Sequence, residues 1–102
     1  MLRPADQAVR PQIEAVTAHL HAKGLTDIFE PSRNGKDGYH AFRARHDNED
    51  RFLWLSYQWL SDNPPGAVVA YLEDKQIARQ LMTDSYSATI HDGGTVSTEL
   101  LT

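Results

Sequence analysis

Tyr39-His40-Ala41-Phe42-Arg43-Ala44-Arg45-His46, the polar run Asp47-Asn48-Glu49-Asp50, and Arg51-Phe52-Leu53-Trp54-Leu55-Ser56-Tyr57-Gln58-Trp59-Leu60 together decide how this chain is read. Two stretches rich in aromatic residues flank a cluster of turn formers, the composition of two strands joined by a polar turn. A third run, Thr26 to Pro31, precedes them across Ser32-Arg33-Asn34-Gly35-Lys36-Asp37-Gly38, whose Asn-Gly and Asp-Gly pairs tolerate positive φ. The three runs predict an antiparallel meander, with strands at Thr26 to Pro31, Tyr39 to His46 and Arg51 to Leu60.

Upstream, Ile13, Val16 and Leu20 recur at helical spacing between Arg10 and Lys23, with Pro11 in the first turn. Gly24 supplies a left-handed stop, and Leu25 is placed to fold back on the last turn as in a glycine C-cap. Residues 1–9 are expected to form a loose arm or a poorly formed extra turn. Downstream, Ser61-Asp62-Asn63-Pro64-Pro65-Gly66 breaks the ladder, because two prolines cannot continue it. Ala67 to Thr83 fits either a strand followed by a helix or one continuous helix. The continuous helix is preferred, since no turn chemistry marks a joint. Ser85 to His91 and Thr95 to Leu101 flank Asp92-Gly93-Gly94 and predict a terminal hairpin. The result is a small single α+β domain over 1–102 in the order α-β-β-β-α-β-β. Its antiparallel sheet, a three-strand meander plus a C-terminal hairpin, is expected to pack on two helices.

A chain of 102 residues, 40% apolar and 24% charged, suffices for one core and excludes both a disordered and a collagen-like chain. It has no run of about 18 apolar residues, and Met1-Leu2-Arg3-Pro4 lacks the apolar stretch of a signal peptide. A cytoplasmic protein with no membrane partner is therefore expected. Without cysteine there is no disulfide, thiol nucleophile or thiolate metal site. Residues 1–51 hold as many basic as acidic side chains, whereas 52–102 set Lys75 and Arg79 against six acids, so the net charge of −4 falls on the C-terminal half. That balance disfavours nucleic acid as a partner unless the fold gathers Arg33, Lys36, Arg43, Arg45 and Arg51 on one face.

Alternation along the third strand puts Leu53, Leu55, Tyr57 and Trp59 on one side and Phe52, Trp54, Ser56 and Gln58 on the other. Large aromatics on both faces mean either that both are covered or that one is a contact surface for a partner protein, a second subunit or stacked bases. Arg43 and Arg45 share a face of the neighbouring strand. Phe52, Trp54, Trp59, Arg43 and Arg45 are therefore the candidate binding residues.

Catalytic chemistry has weaker support. Glu73-Asp74-Lys75 carries the acidic-x-Lys spacing of metal-dependent nucleases, but a solvated helix surface has the same composition, and no second acidic ligand lies suitably upstream. A helix-turn-helix over Gln76-Ile77-Ala78-Arg79-Gln80-Leu81 fails on the length of the turn that follows. His19 and His21 flank the first helix's apolar stripe from opposite sides, and about 20 Å of extended strand separates His40 from His46. Neither pair has metal-ligand spacing, and no Gly-x-Ser-x-Gly elbow is present. No catalytic residue, metal or cofactor is expected. The reading favoured is a non-catalytic module binding a protein or a second copy of itself, ahead of a small metal-dependent hydrolase using Glu73 and Lys75 and of single-strand nucleic-acid binding.

Overall fold

Helix α1 (Arg10–Ala22) buries Ile13, Val16 and Leu20 on one stripe. It ends as the glycine requires: Gly24 sits at φ +106° and its N–H donates to the His21 carbonyl, while the Leu25 N–H reaches back to Leu20. Leu25 is fully buried against the core, completing the cap. The computed structural model describes residues 8–30 and 38–100. Of the arm expected over 1–9, residues 1–7 lie outside the described residues, while Val9 is buried and accepts the Ile13 N–H. The Asn34-Gly35 connection also lies outside them.

Strands β1 (Thr26–Phe29), β2 (Tyr39–His46) and β3 (Glu49–Ser56) form the expected antiparallel meander. Its tight turn is Asp47-Asn48, both at positive φ, the geometry that matches the twist of paired strands. The third strand ends four residues earlier than the aromatic alternation suggests. Ser56 caps a new helix, α2 (Tyr57–Asp62), by accepting the Trp59 N–H at 3.2 Å, so Trp59 turns into the core instead of continuing the strand. Gln12 of α1 donates to the carbonyls of Leu60 and Asn63 and so satisfies the far end of that helix.

Two prolines then open α3 (Pro65–Asp74), which buries Val68 and Leu72. The preferred continuous helix over 67–83 is corrected to two: Gln76 adopts a left-handed conformation, φ 53° and ψ 43°, and separates α3 from α4 (Ile77–Thr83). The break lets Ile77, Ala78 and Leu81 reach the core that a straight continuation of α3 would miss.

Strands β4 (Ser85–Ile90) and β5 (Val96–Leu100) form the terminal hairpin. Gly94 is needed in it for two reasons. Its φ is +88°, and a Cβ there would stand 3.3 Å from the Tyr71 hydroxyl, which donates to the Gly94 carbonyl.

The five strands lie in the order β1-β2-β3-β4-β5. The sheet is mixed, not wholly antiparallel, because β3 and β4 run parallel, with Phe52 opposite Ser87 and Leu55 opposite Ile90. Parallel neighbours need a crossover, and α2, α3 and α4 supply it. There are therefore four described helices where two were expected. Their apolar stripes meet Phe42, Ala44, Leu53, Leu55, Ala88 and Ile90 from one side of the sheet. Buried Arg51 fastens the edge of this core, donating from Nε to the Leu81 carbonyl at 2.7 Å.

A long side chain held left-handed costs roughly 1 kcal/mol that glycine avoids. Glycine's greater freedom in the unfolded chain offsets part of that, so Gln76→Gly should raise unfolding stability by about 0.5 kcal/mol in urea titrations. A loss of stability would show that the Gln76 side chain contributes more than its backbone costs.

Candidate functional site

The side of the sheet opposite the helices is built from the alternate residues of the same strands. Pairing places Arg43 between Phe29 and Phe52, and Trp54 between Ala41 and Thr89. Both neighbours of Trp54 are small, and both are buried beside its large ring. Phe52 and Trp54 are half-buried and stack, with centroids 5.9 Å apart and planes 12° from parallel. Phe29 is 46% exposed and lies under the Arg43 guanidinium, 4.9 Å from its ring centre. None of these three rings belongs to the core packed by the helices.

Charge on this face is divided. Asp50 is shared by Arg43 at 3.3 Å and Arg45 at 3.5 Å, so two guanidiniums face one carboxylate at the β1–β3 end. The β4–β5 end carries acids: Tyr86 hydrogen-bonds Glu99, and Ser56 donates to Asp92. The Glu99 carboxylate holds the Tyr86 phenol, whose proton is consequently lost at higher pH than usual.

The structure brings Phe52, Trp54, Arg43 and Arg45 together as candidates on one face. Trp59 does not join them. It is 5% exposed and packs on Tyr71, 5.4 Å between ring centres. Glu73 and Lys75 part company too: Glu73 is gripped by Lys23 at 2.7 Å, whereas the Lys75 ammonium lies over the Tyr71 ring. Among the described residues, no three His, Asp or Glu side chains gather to hold a metal ion. No described helix is long and apolar enough to cross a membrane.

Three histidine arrangements were not legible in the sequence, because each joins residues distant in the chain. His91 accepts or donates at both nitrogens, to Tyr39 at 2.8 Å and Ser97 at 3.0 Å, and thereby staples the β4–β5 turn to β2. A phenol in place of a carboxylate behind the imidazole leaves no anion to stabilise a charged ring, so a Ser97 nucleophile lacks its usual support. His40 is buried between the Tyr57 hydroxyl at 3.0 Å and Glu30 at 2.8 Å, and Glu30 is in turn held by both oxygens on Arg10. His19 faces Glu73 across 3.9 Å. Burial pushes its imidazole below the usual 6.5, with Lys23 adding to the fall and Glu73 opposing it. The Lys23 hydrogen bond holds the Glu73 carboxyl below its own ordinary value.

No protein-family model, curated protein or solved structure matches this chain.

Two predictions follow from these placements. Trp59→Ala should lower unfolding stability by about 3–5 kcal/mol, whereas Trp54→Ala, half-buried on the face without described helices, should cost about 1–2 kcal/mol; equal losses in urea titration would contradict the sidedness. Because folding depresses the His19 pKa, the unfolded chain binds the extra proton. The stability this confers is present above 6.5 and is lost as the pH falls through the folded-state value. His19→Gln should flatten the dependence of unfolding free energy on pH in that window, and an unchanged slope would place the titration elsewhere.

Proposed function

We propose that this chain is a non-catalytic module that binds another protein, in our reading a cytoplasmic one, through the helix-free face of its sheet. The observation that carries the reading is the one-sided packing: every described helix lies on one face, and the other presents Phe29, Phe52 and Trp54 outside the core. Aromatic rings combined with arginine are the side chains that most often dominate the energetics of protein interfaces. The divided charge suits a partner with an acidic patch for Arg43 and Arg45 and a basic one for Glu99 and Asp92.

Single-stranded nucleic acid is the second reading, carried by the stacked Phe52–Trp54 pair beside two arginines. It is weaker, because a polyanion running along the face meets Asp50 beside the two arginines and then Glu99 and Asp92 at the far end. A second copy of the chain is the remaining occupant of the protein class.

The test compares wild type with Trp54→Ala. Light scattering of purified protein first establishes whether the chain pairs with itself. A photo-reactive amino acid at Phe52 then identifies any partner by cross-linking, and titration gives the affinity. Trp54→Ala should weaken that binding by about 1–3 kcal/mol while keeping the fold. A partner bound equally by the variant would refute the assignment of this face, and saturable binding of an oligothymidine lost in Trp54→Ala would favour the nucleic-acid reading.

A further inference from the structure

A second site lies on the helical side, far from the aromatic face, where α1, α3 and α4 leave a pocket of about 200 Å³. Leu72 and Met82 give it an apolar wall, and His19, Lys23, Glu73 and Arg79 supply the polar one. The most telling group is His19. Its side chain is 7% exposed, yet Nε2 has no hydrogen-bond partner among the described residues, standing 3.9 Å from the nearest Glu73 oxygen. A buried ring nitrogen left unpaired destabilises the fold unless something completes it.

We propose that this pocket binds a small carboxylate with an apolar body of about one ring. The charges select the sign of the ligand. Lys23 and Arg79 oppose a single carboxylate, Glu73, so a cation would enter against an excess of like charge. Arg79 is exposed and has no ion-pair partner among the described residues; it donates to the Gln76 amide oxygen at 3.4 Å. The Lys23–Glu73 pair is solvent-accessible, 41% and 56% exposed, and such a pair opens at little cost. An incoming carboxylate can therefore replace Glu73 on Lys23, take Arg79 as a second donor, and accept a hydrogen bond from His19 Nε2. The size follows from the volume: an apolar cavity of about 150 Å³ accepts benzene, so this pocket has room for a ring and a head group.

The probes are benzoate and its neutral isostere benzamide, titrated into the isotopically labelled full chain and followed by NMR, including the His19 ring signals. Benzoate should produce saturable shifts centred on His19, Lys23 and Arg79, with benzamide at least several-fold weaker. Arg79→Gln should weaken benzoate several-fold. Glu73→Gln, which removes the competitor for Lys23, should tighten it. Glu73 and Arg79 are exposed, so both variants are expected to keep the wild-type backbone spectrum, which the same experiment records. The proposal is overturned if benzoate gives no saturable shift at His19, if benzamide binds as well, or if neither variant changes the affinity. The pocket and the aromatic face share no residue, so failure here leaves the protein-binding reading as it stood.

Discussion

The parallel contact between β3 and β4 is the constraint on which the rest of the molecule depends. Antiparallel neighbours can be joined by two residues, but parallel ones require the chain to return over the sheet. Here the return is made by α2, α3 and α4, all on one side, and α1 packs beside them on that same side. The sheet is thereby divided into a face sealed by leucine, isoleucine and valine and a face without described helices. Strand alternation assigns each residue to one or the other, so a single topological choice fixes both the core and the candidate binding surface.

Two polar residues make the crossover possible. Ser56 ends β3 by capping α2, and its hydroxyl also donates to Asp92, which ties the start of the crossover to the turn of the distant hairpin. Gln76 ends α3 by leaving the helical region, and the chain resumes as α4 at an angle that buries Ile77 and Leu81. Both fix the path of the backbone at little cost in core volume. Tyr71 adds a third tie, reaching from α3 to the Gly94 carbonyl. The helices are thus fastened to the sheet by specific hydrogen bonds at the rim as well as by apolar burial in the middle.

What could be read from the sequence was local. The α1 cap at Gly24, the turn at Asp47-Asn48 and the hairpin around Gly93-Gly94 each depend on backbone preferences of a few adjacent residues. The end of β3 was not readable in the same way. Leu55, Tyr57 and Trp59 keep a period of two across the junction, and four residues of helix cannot be told from strand by that pattern. Gln76 gave no signal, because glutamine carries no preference for the left-handed region. Strand direction was equally hidden, since the parallel pairing of β3 with β4 is decided by a crossover whose helices the sequence only partly reveals. Of the candidate binding residues, Phe52, Trp54, Arg43 and Arg45 were legible because alternation alone groups them. Trp59 was misplaced with the strand end, and the environments of His19 and His91 arise from contacts between segments far apart in sequence.

Strand β3 contains its own control for the claim that the two faces of the sheet are covered unequally. Addition of an inert paramagnetic agent to the labelled protein, with relaxation read at side-chain protons, compares neighbouring residues on opposite faces. The account predicts alternation: strong effects at Phe29, Phe52 and Trp54, and protection of Leu53 and Leu55, which are buried beneath the helices. Uniform protection of both sets in the isolated monomer would mean that the aromatic face is already covered and would contradict the account.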